Sequence, residues 1–185
     1  MLYLCSLYLN NGIAMKRFVI LMICLASCFS TFAQDKPASN GSRIPTVELK
    51  TIQGEVMSTK QFYTGEHPFI VSLWATWCKP CIEELEAISL VYEEWVEEFG
   101  VTLYAVSIDD SRSASKVAPF VRAKGWEYVV LQDVNSDLKR ALNVVDVPFL
   151  CIYNQNGELV WSHTSYAPGG EEEVYEVLKS LVKSE

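Results

Sequence analysis

The sequence predicts an α/β domain: a mixed central sheet with helices on both faces, preceded by a small β-hairpin extension. Three observations predict it. Short β-rich apolar runs alternate with segments whose apolar residues recur at three- and four-residue steps. A turn at Asn154-Gln155-Asn156-Gly157 joins two of those runs directly and forces one antiparallel pair. A strand-to-helix junction carries two cysteines, Cys78 and Cys81, with two residues between them.

The elements follow in chain order. Val47 to Ile52 meets Gln53-Gly54-Glu55 and returns through Val56 to Phe62, the predicted hairpin. Gly65 and Pro68 punctuate the chain before an apolar strand, Phe69 to Trp74. Leu85, Ile88, Tyr92, Trp95 and Phe99 then mark one long helix, stopped by Gly100. Val101 to Ile108 reads as a buried strand. Asp109-Asp110-Ser111 is placed to cap the next helix, which carries Val117, Phe120 and Val121 on one face and stops at Gly125. Tyr128 to Leu131 is a strand and Asn135 to Leu142 a short helix. Pro148 introduces the strand Phe149 to Tyr153, and Glu158 to His163 returns from the turn. A last helix begins near Gly170; Glu171 to Glu173 suit the positive end of its dipole, and Val174, Val177, Leu178, Leu181 and Val182 form its buried stripe. Helices between the early strands imply parallel crossovers.

The first 33 residues read as a leader. Lys16 and Arg17 precede ten apolar or small residues, Phe18 to Ser27, too few to span a bilayer. Met15 reads as the true start, with residues 1–14 either an upstream extension of the reading frame or a lengthened leader. Two exits are visible: cleavage after Ala33, which is favoured, and a lipobox-like Leu25-Ala26-Ser27-Cys28 that would tether the chain through a lipidated Cys28. Either route exports the body of the protein, to a bacterial periplasm or cell envelope. Residues 34–42 read as a flexible linker and 43–185 as one domain.

Export changes the cysteine count. Cys5, Cys24 and Cys28 fall in the leader, so the mature chain keeps Cys78, Cys81 and Cys151. Three do not make a disulfide scaffold. The formal charge of −8 also deepens: losing Lys16 and Arg17 leaves 13 basic against 23 acidic residues, or −10. That balance argues against nucleic acid and anionic membrane surfaces as partners.

A helix N-terminus offers free N–H groups and partial positive charge, which favour a thiolate over a thiol. Cys78, at the exposed edge of the turn, is the candidate nucleophile. Cys81, inside the first helical turn, can close a short disulfide onto it and expel a bound sulfur. The competing reading is half of a zinc site, but only His67, His163 and Cys151 are left to complete one, and they are scattered. No metal is expected.

Trp77-Cys78-Lys79-Pro80-Cys81 after an apolar strand, with Pro148 some seventy residues on and a strand-turn-strand-helix ending, resembles the thioredoxin fold. The leader, the hairpin and Glu84 three residues after Cys81 resemble its TlpA/ResA-like branch of exported thiol–disulfide oxidoreductases. The resemblance covers about residues 43–185. It implies that Cys78 attacks, that Cys81 resolves, and that Pro148 is a cis-proline beside the disulfide, leaving the backbone of Val147 to pair with an extended substrate. It also implies that Glu84 handles the proton of Cys81. Set against these are a plain proline at the start of a strand and one more surface carboxylate in a run of seven, Glu83, Glu84, Glu86, Glu93, Glu94, Glu97 and Glu98. Ser72 departs from thioredoxin itself, which has a buried aspartate there.

Lys79 adds a screened positive charge between the thiols, Pro80 stiffens the turn, Trp77 forms an exposed rim for substrate and Trp74 is core. Cys151 reads as a free buried cysteine, with a regulatory thiol as the alternative. The expected function is reduction of protein disulfides, such as those of apocytochrome c, by a monomer that needs no bound cofactor and is re-reduced by a membrane thiol-electron carrier. A dithiol oxidase, a peroxidase and a non-enzymatic binding module are the alternatives. Val71 and Ala75 occupy the two positions where a peroxidase would want Pro and Thr.

Overall fold

The computed structural model describes residues 41–182. The expected leader, with Met15, Lys16, Arg17, Cys5, Cys24, Cys28 and Ala33, lies outside the described residues, as do most of the linker and residues 183–185. Seven strands form one mixed sheet: β1 (Glu48–Thr51), β2 (Val56–Ser58), β3 (Phe69–Trp74), β4 (Thr102–Ser107), β5 (Val129–Gln132), β6 (Phe149–Tyr153) and β7 (Leu159–Thr164), in the order β2-β1-β5-β4-β3-β6-β7. The helices are α1 (Lys79–Ser89), α2 (Tyr92–Phe99), α3 (Val117–Lys124), α4 (Asp137–Ala141) and α5 (Gly170–Val182).

β3 is central because every residue of it is apolar or small, and all six are buried. It pairs in parallel with β4, which pairs in parallel with β5. The expected hairpins form between β1 and β2 and between β6 and β7. β6 also runs antiparallel to β3, and β1 antiparallel to β5, so antiparallel pairing extends well beyond the hairpin that forced it.

Side chains alternate across the sheet, so directly paired residues share a face. Ser72 pairs with Leu150, and Leu150 with His163. This row faces α1, as a contact between His163 and Glu84 shows. Trp74 lies on the same face, against Phe120 of α3 at 5.8 Å and Trp126 at 5.2 Å between ring centroids. Phe69, Val71, Cys151 and Tyr153 point the other way. There Phe62 stacks on Tyr104 at 3.8 Å, and Ala141 at the end of α4 lines a cavity with Phe149 and Tyr153.

Three expectations need correction. The long helix is two helices. α1 ends at Ser89, and Val91, at φ −121° and ψ −3°, breaks the spiral before α2. Apolar spacing carries across the break, so periodicity could not reveal it. Asp109-Asp110-Ser111 caps no helix, because α3 begins only at Val117, after a 3-10 turn at Ala114–Lys116. Val182, counted in the stripe of α5, is 46 % exposed, while Val174 and Leu178 are buried.

Gly100 closes α2 in the left-handed conformation, φ +65°. A Cβ there would lie 2.6 Å from His67 Nδ1. His67 is exposed and its ring can turn aside, so the backbone conformation sets the cost. Gly100→Ala is expected to lower stability by about 1–2 kcal/mol, measured as the shift in denaturant midpoint.

Candidate active site: a disulfide at a helix N-terminus

β3 ends at Trp74, and the chain turns through Ala75, Thr76 and Trp77 into α1. The turn is held from beneath. Asp109, fully buried just past β4, accepts hydrogen bonds from the Thr76 N–H at 2.8 Å and the Thr76 hydroxyl at 2.6 Å. The Ser107 hydroxyl donates to the same carboxylate at 2.8 Å. Sequence reasoning took Asp109 for a helix cap; its partner lies 33 residues upstream, and no local pattern could have announced it.

Cys78 is the N-cap of α1, with extended backbone at φ −93° and ψ 96°. Its sulfur accepts a hydrogen bond from the Cys81 N–H at 3.3 Å, and the two cysteines form a disulfide. Pro80 sits in the first turn, where a missing N–H leaves no helical bond unmade. Cys78 is 5 % exposed, buried rather than at the exposed edge expected of it, and Cys81 is fully buried, so Cys78 is only the more accessible of the two. Any negative charge on Cys78 therefore meets an N–H donor and the positive helix end together.

The other expected site residues fall around this pair unevenly. Trp77, 64 % exposed, is a rim. Lys79 points into solvent and pairs with Glu83 at 3.3 Å, so its charge is shared with a carboxylate rather than aimed at the sulfurs. The Val147–Pro148 peptide is cis. Among the described residues no backbone hydrogen bond engages the Val147 N–H or carbonyl, whereas the Pro148 carbonyl accepts from the Ser165 N–H at 3.1 Å. Pro80, Val147, Pro148 and Tyr166 border a cavity of about 1020 Å³ that continues along the face away from α1 to Arg43 and Pro45.

Glu84 is the buried member of its run of seven, at 1 % exposure, and its Oε1 lies 2.6 Å from His163 Nε2 on β7. Its Oε2 and the Ser72 hydroxyl, both on the α1 side of the sheet, are buried with no hydrogen-bond partner among the described residues. His163, set aside at the sequence level as a poor zinc ligand, is the residue that reasoning missed. His67 sits by Gly100 instead.

Cys151 lies on the opposite sheet face, fully buried, its thiol donating to the Val71 carbonyl at 3.5 Å. Burial pushes its pKa up to about 12. A thiol that stays protonated at neutral pH neither attacks nor alkylates. In the folded chain at pH 8, Cys151 is expected to resist iodoacetamide, and to react fully once unfolded, as read by peptide mass mapping.

A family model, AhpC/TSA, matches residues 40–162. The chain belongs to the AhpC/TSA family. The chain is similar to the thiol-disulfide oxidoreductase ResA of Bacillus thuringiensis subsp. konkukian, 23% identical over 82% of this chain and 87% of that one. The ResA of Oceanobacillus iheyensis is 28% identical over 81% and 80%. Among solved structures, an uncharacterized thioredoxin-like protein from Porphyromonas gingivalis is 45% identical, with a TM-score of 0.68 over 78% of this chain and 95% of that one. Within AhpC/TSA, then, this is a thioredoxin-fold thiol–disulfide oxidoreductase of the TlpA/ResA-like kind. Among the described residues no helix is long and apolar enough to cross a membrane.

Proposed function

We propose that the chain reduces protein disulfides outside the cytoplasm. In this reading the Cys78 thiolate attacks a client disulfide, a mixed disulfide forms, and Cys81 resolves it, releasing the reduced client and leaving the Cys78–Cys81 disulfide. The observation that carries the proposal is the N-cap position of Cys78: its sulfur is the more accessible of the two and already accepts the Cys81 N–H. The client segment lies in extended form beside Val147, whose N–H and carbonyl are unengaged, with Trp77 and the Pro80 edge of the cavity as its apolar contacts. Glu84 exchanges the proton of Cys81.

Apocytochrome c awaiting haem fits as a client. Re-reduction falls to a membrane thiol-electron carrier, because export separates the protein from cytoplasmic reductants. The chain acts as a monomer and is delivered by its leader, cleaved after Ala33 or held by a lipidated Cys28, with 43–185 as the working domain. Against a peroxidase, Val71 and Ala75 stand where Pro and Thr would be wanted, and Ala75, buried and apolar, offers no hydroxyl to the attacking cysteine.

Insulin-disulfide reduction by the purified protein with dithiothreitol as electron donor tests the activity. The expected result is precipitation of the insulin B chain far faster than with dithiothreitol alone. A redox potential as oxidising as that of the strong thiol oxidants, about −120 mV rather than the roughly −270 mV of thioredoxin, would reverse the direction.

A further inference from the structure

We infer that His163 is a positioning and proton-carrying partner of Glu84, and that the two side chains form the route by which protons move between Cys81 and solvent. This rests on the dithiol chemistry proposed above.

Cys81 and Glu84 are three residues apart on α1, hence neighbours on one helix face, and both are buried. Glu84 reaches outward through a single hydrogen-bond partner, His163. An oxygen and a ring nitrogen 2.6 Å apart need a proton between them, so the pair holds one wherever the charge is drawn. The second carboxylate oxygen, Oε2, is buried and uncommitted, free to face a sulfur that gains or loses a proton. At the other end the His163 side chain is 18 % exposed against 2 % for Glu84, so the imidazole is the wet end of the pair.

The surroundings restrict the alternatives. β7 supplies Trp161, whose ring meets the His163 ring edge-on at 4.8 Å and fixes its plane. The loop into α5 supplies Tyr166, whose hydroxyl donates to Glu171 at 3.3 Å. Burial, then Glu171, then Glu84 hold the Tyr166 phenol above its ordinary range, so it stays neutral and offers no competing charge. Ser72 removes the strand carboxylate that could otherwise have served Cys81.

The proton balance closes. When an incoming dithiol opens the Cys78–Cys81 disulfide, Cys78 bonds to the attacking sulfur and Cys81 leaves as a thiolate. It takes the proton held at Glu84, and His163 draws a replacement from water. In the forward direction the Cys81 thiol passes its proton to Glu84 as its sulfur attacks the mixed disulfide, and His163 releases it. The dithiol supplies both electrons.

The chain has two histidines, His67 and His163, so NMR of the ¹⁵N-histidine-labelled full-length protein needs only His67→Gln for assignment. The His163 titration midpoint is expected to differ between the disulfide and dithiol forms while that of His67 does not. His163→Gln, which keeps a donor to Glu84 but cannot carry a proton, is expected to slow release of client from the mixed disulfide about tenfold to a hundredfold and to change the pH profile of that step. Adding Glu84→Gln to His163→Gln should cost little more. A His163 midpoint indifferent to redox state, or a His163→Gln rate equal to wild type at every pH while wild type reduces insulin, overturns this inference alone. Wild type inert towards insulin overturns the chemistry beneath it.

Discussion

Serine at Cys78 is expected to drop insulin reduction to the uncatalysed background, while serine at Cys81 is expected to leave the protein joined to its clients. The two sulfurs differ in reach, Cys78 at 5 % exposure and Cys81 at none, so only the first can meet an incoming disulfide. Without Cys81 the mixed disulfide has no resolving thiol at hand and persists. Cys151 cannot substitute, being buried on the far face of the sheet with its thiol held protonated to about pH 12. Non-reducing gels of the Cys81→Ser protein made in cells should show adducts that dithiothreitol dissolves, and mass spectrometry should find every one at Cys78. Adducts on Cys81 in the Cys78→Ser protein would exchange the two roles.

The largest loss of stability outside the main core is expected at Asp109. Alanine there leaves three donors without their acceptor: the Thr76 N–H, the Thr76 hydroxyl and the Ser107 hydroxyl. Each stranded donor costs roughly 1–3 kcal/mol, and the two from Thr76, only partly buried, lie at the lower end, so Asp109→Ala should cost about 3–5 kcal/mol. Asparagine turns one acceptor into a donor facing a donor, so Asp109→Asn recovers only part of it. The same bonds hold the turn that carries Trp77 and Cys78, so client reduction should fall even at temperatures where the variant is folded. Urea denaturation followed by tryptophan fluorescence gives the first number. A change below about 1 kcal/mol would mean that water replaces the carboxylate at little cost.

Sequence made the strands legible where two constraints coincided. β3 and β6 were read to the residue, because each is a run of apolar or small residues with a proline in front, Pro68 and Pro148, and a marked stop behind, the cysteine turn after Trp74 and the Asn-Gly turn after Tyr153. The cysteine couple was legible for the same reason: strand, turn and helix were all marked locally. The break at Leu90 and Val91 was not, because burial resumes at Trp95 in the phase that one continuous helix would keep. Glu84 was singled out by the resemblance, three residues after Cys81 and so on its helix face, but no local rule could supply its partner. That partner is a histidine 79 residues away, brought over by the pairing of β7 with β6. Asp109 is the same case at a separation of 33. Polar contacts across the fold leave no periodicity, so the parts of the site made of such contacts became visible only in three dimensions.

The sheet separates two kinds of traffic. The groove by Val147 and Arg43 opens on one side, and the imidazole of His163 looks out from the other. A polypeptide lying in the groove therefore leaves the opposite doorway to water unblocked, and a large, slow-leaving guest need not stall the small, fast one.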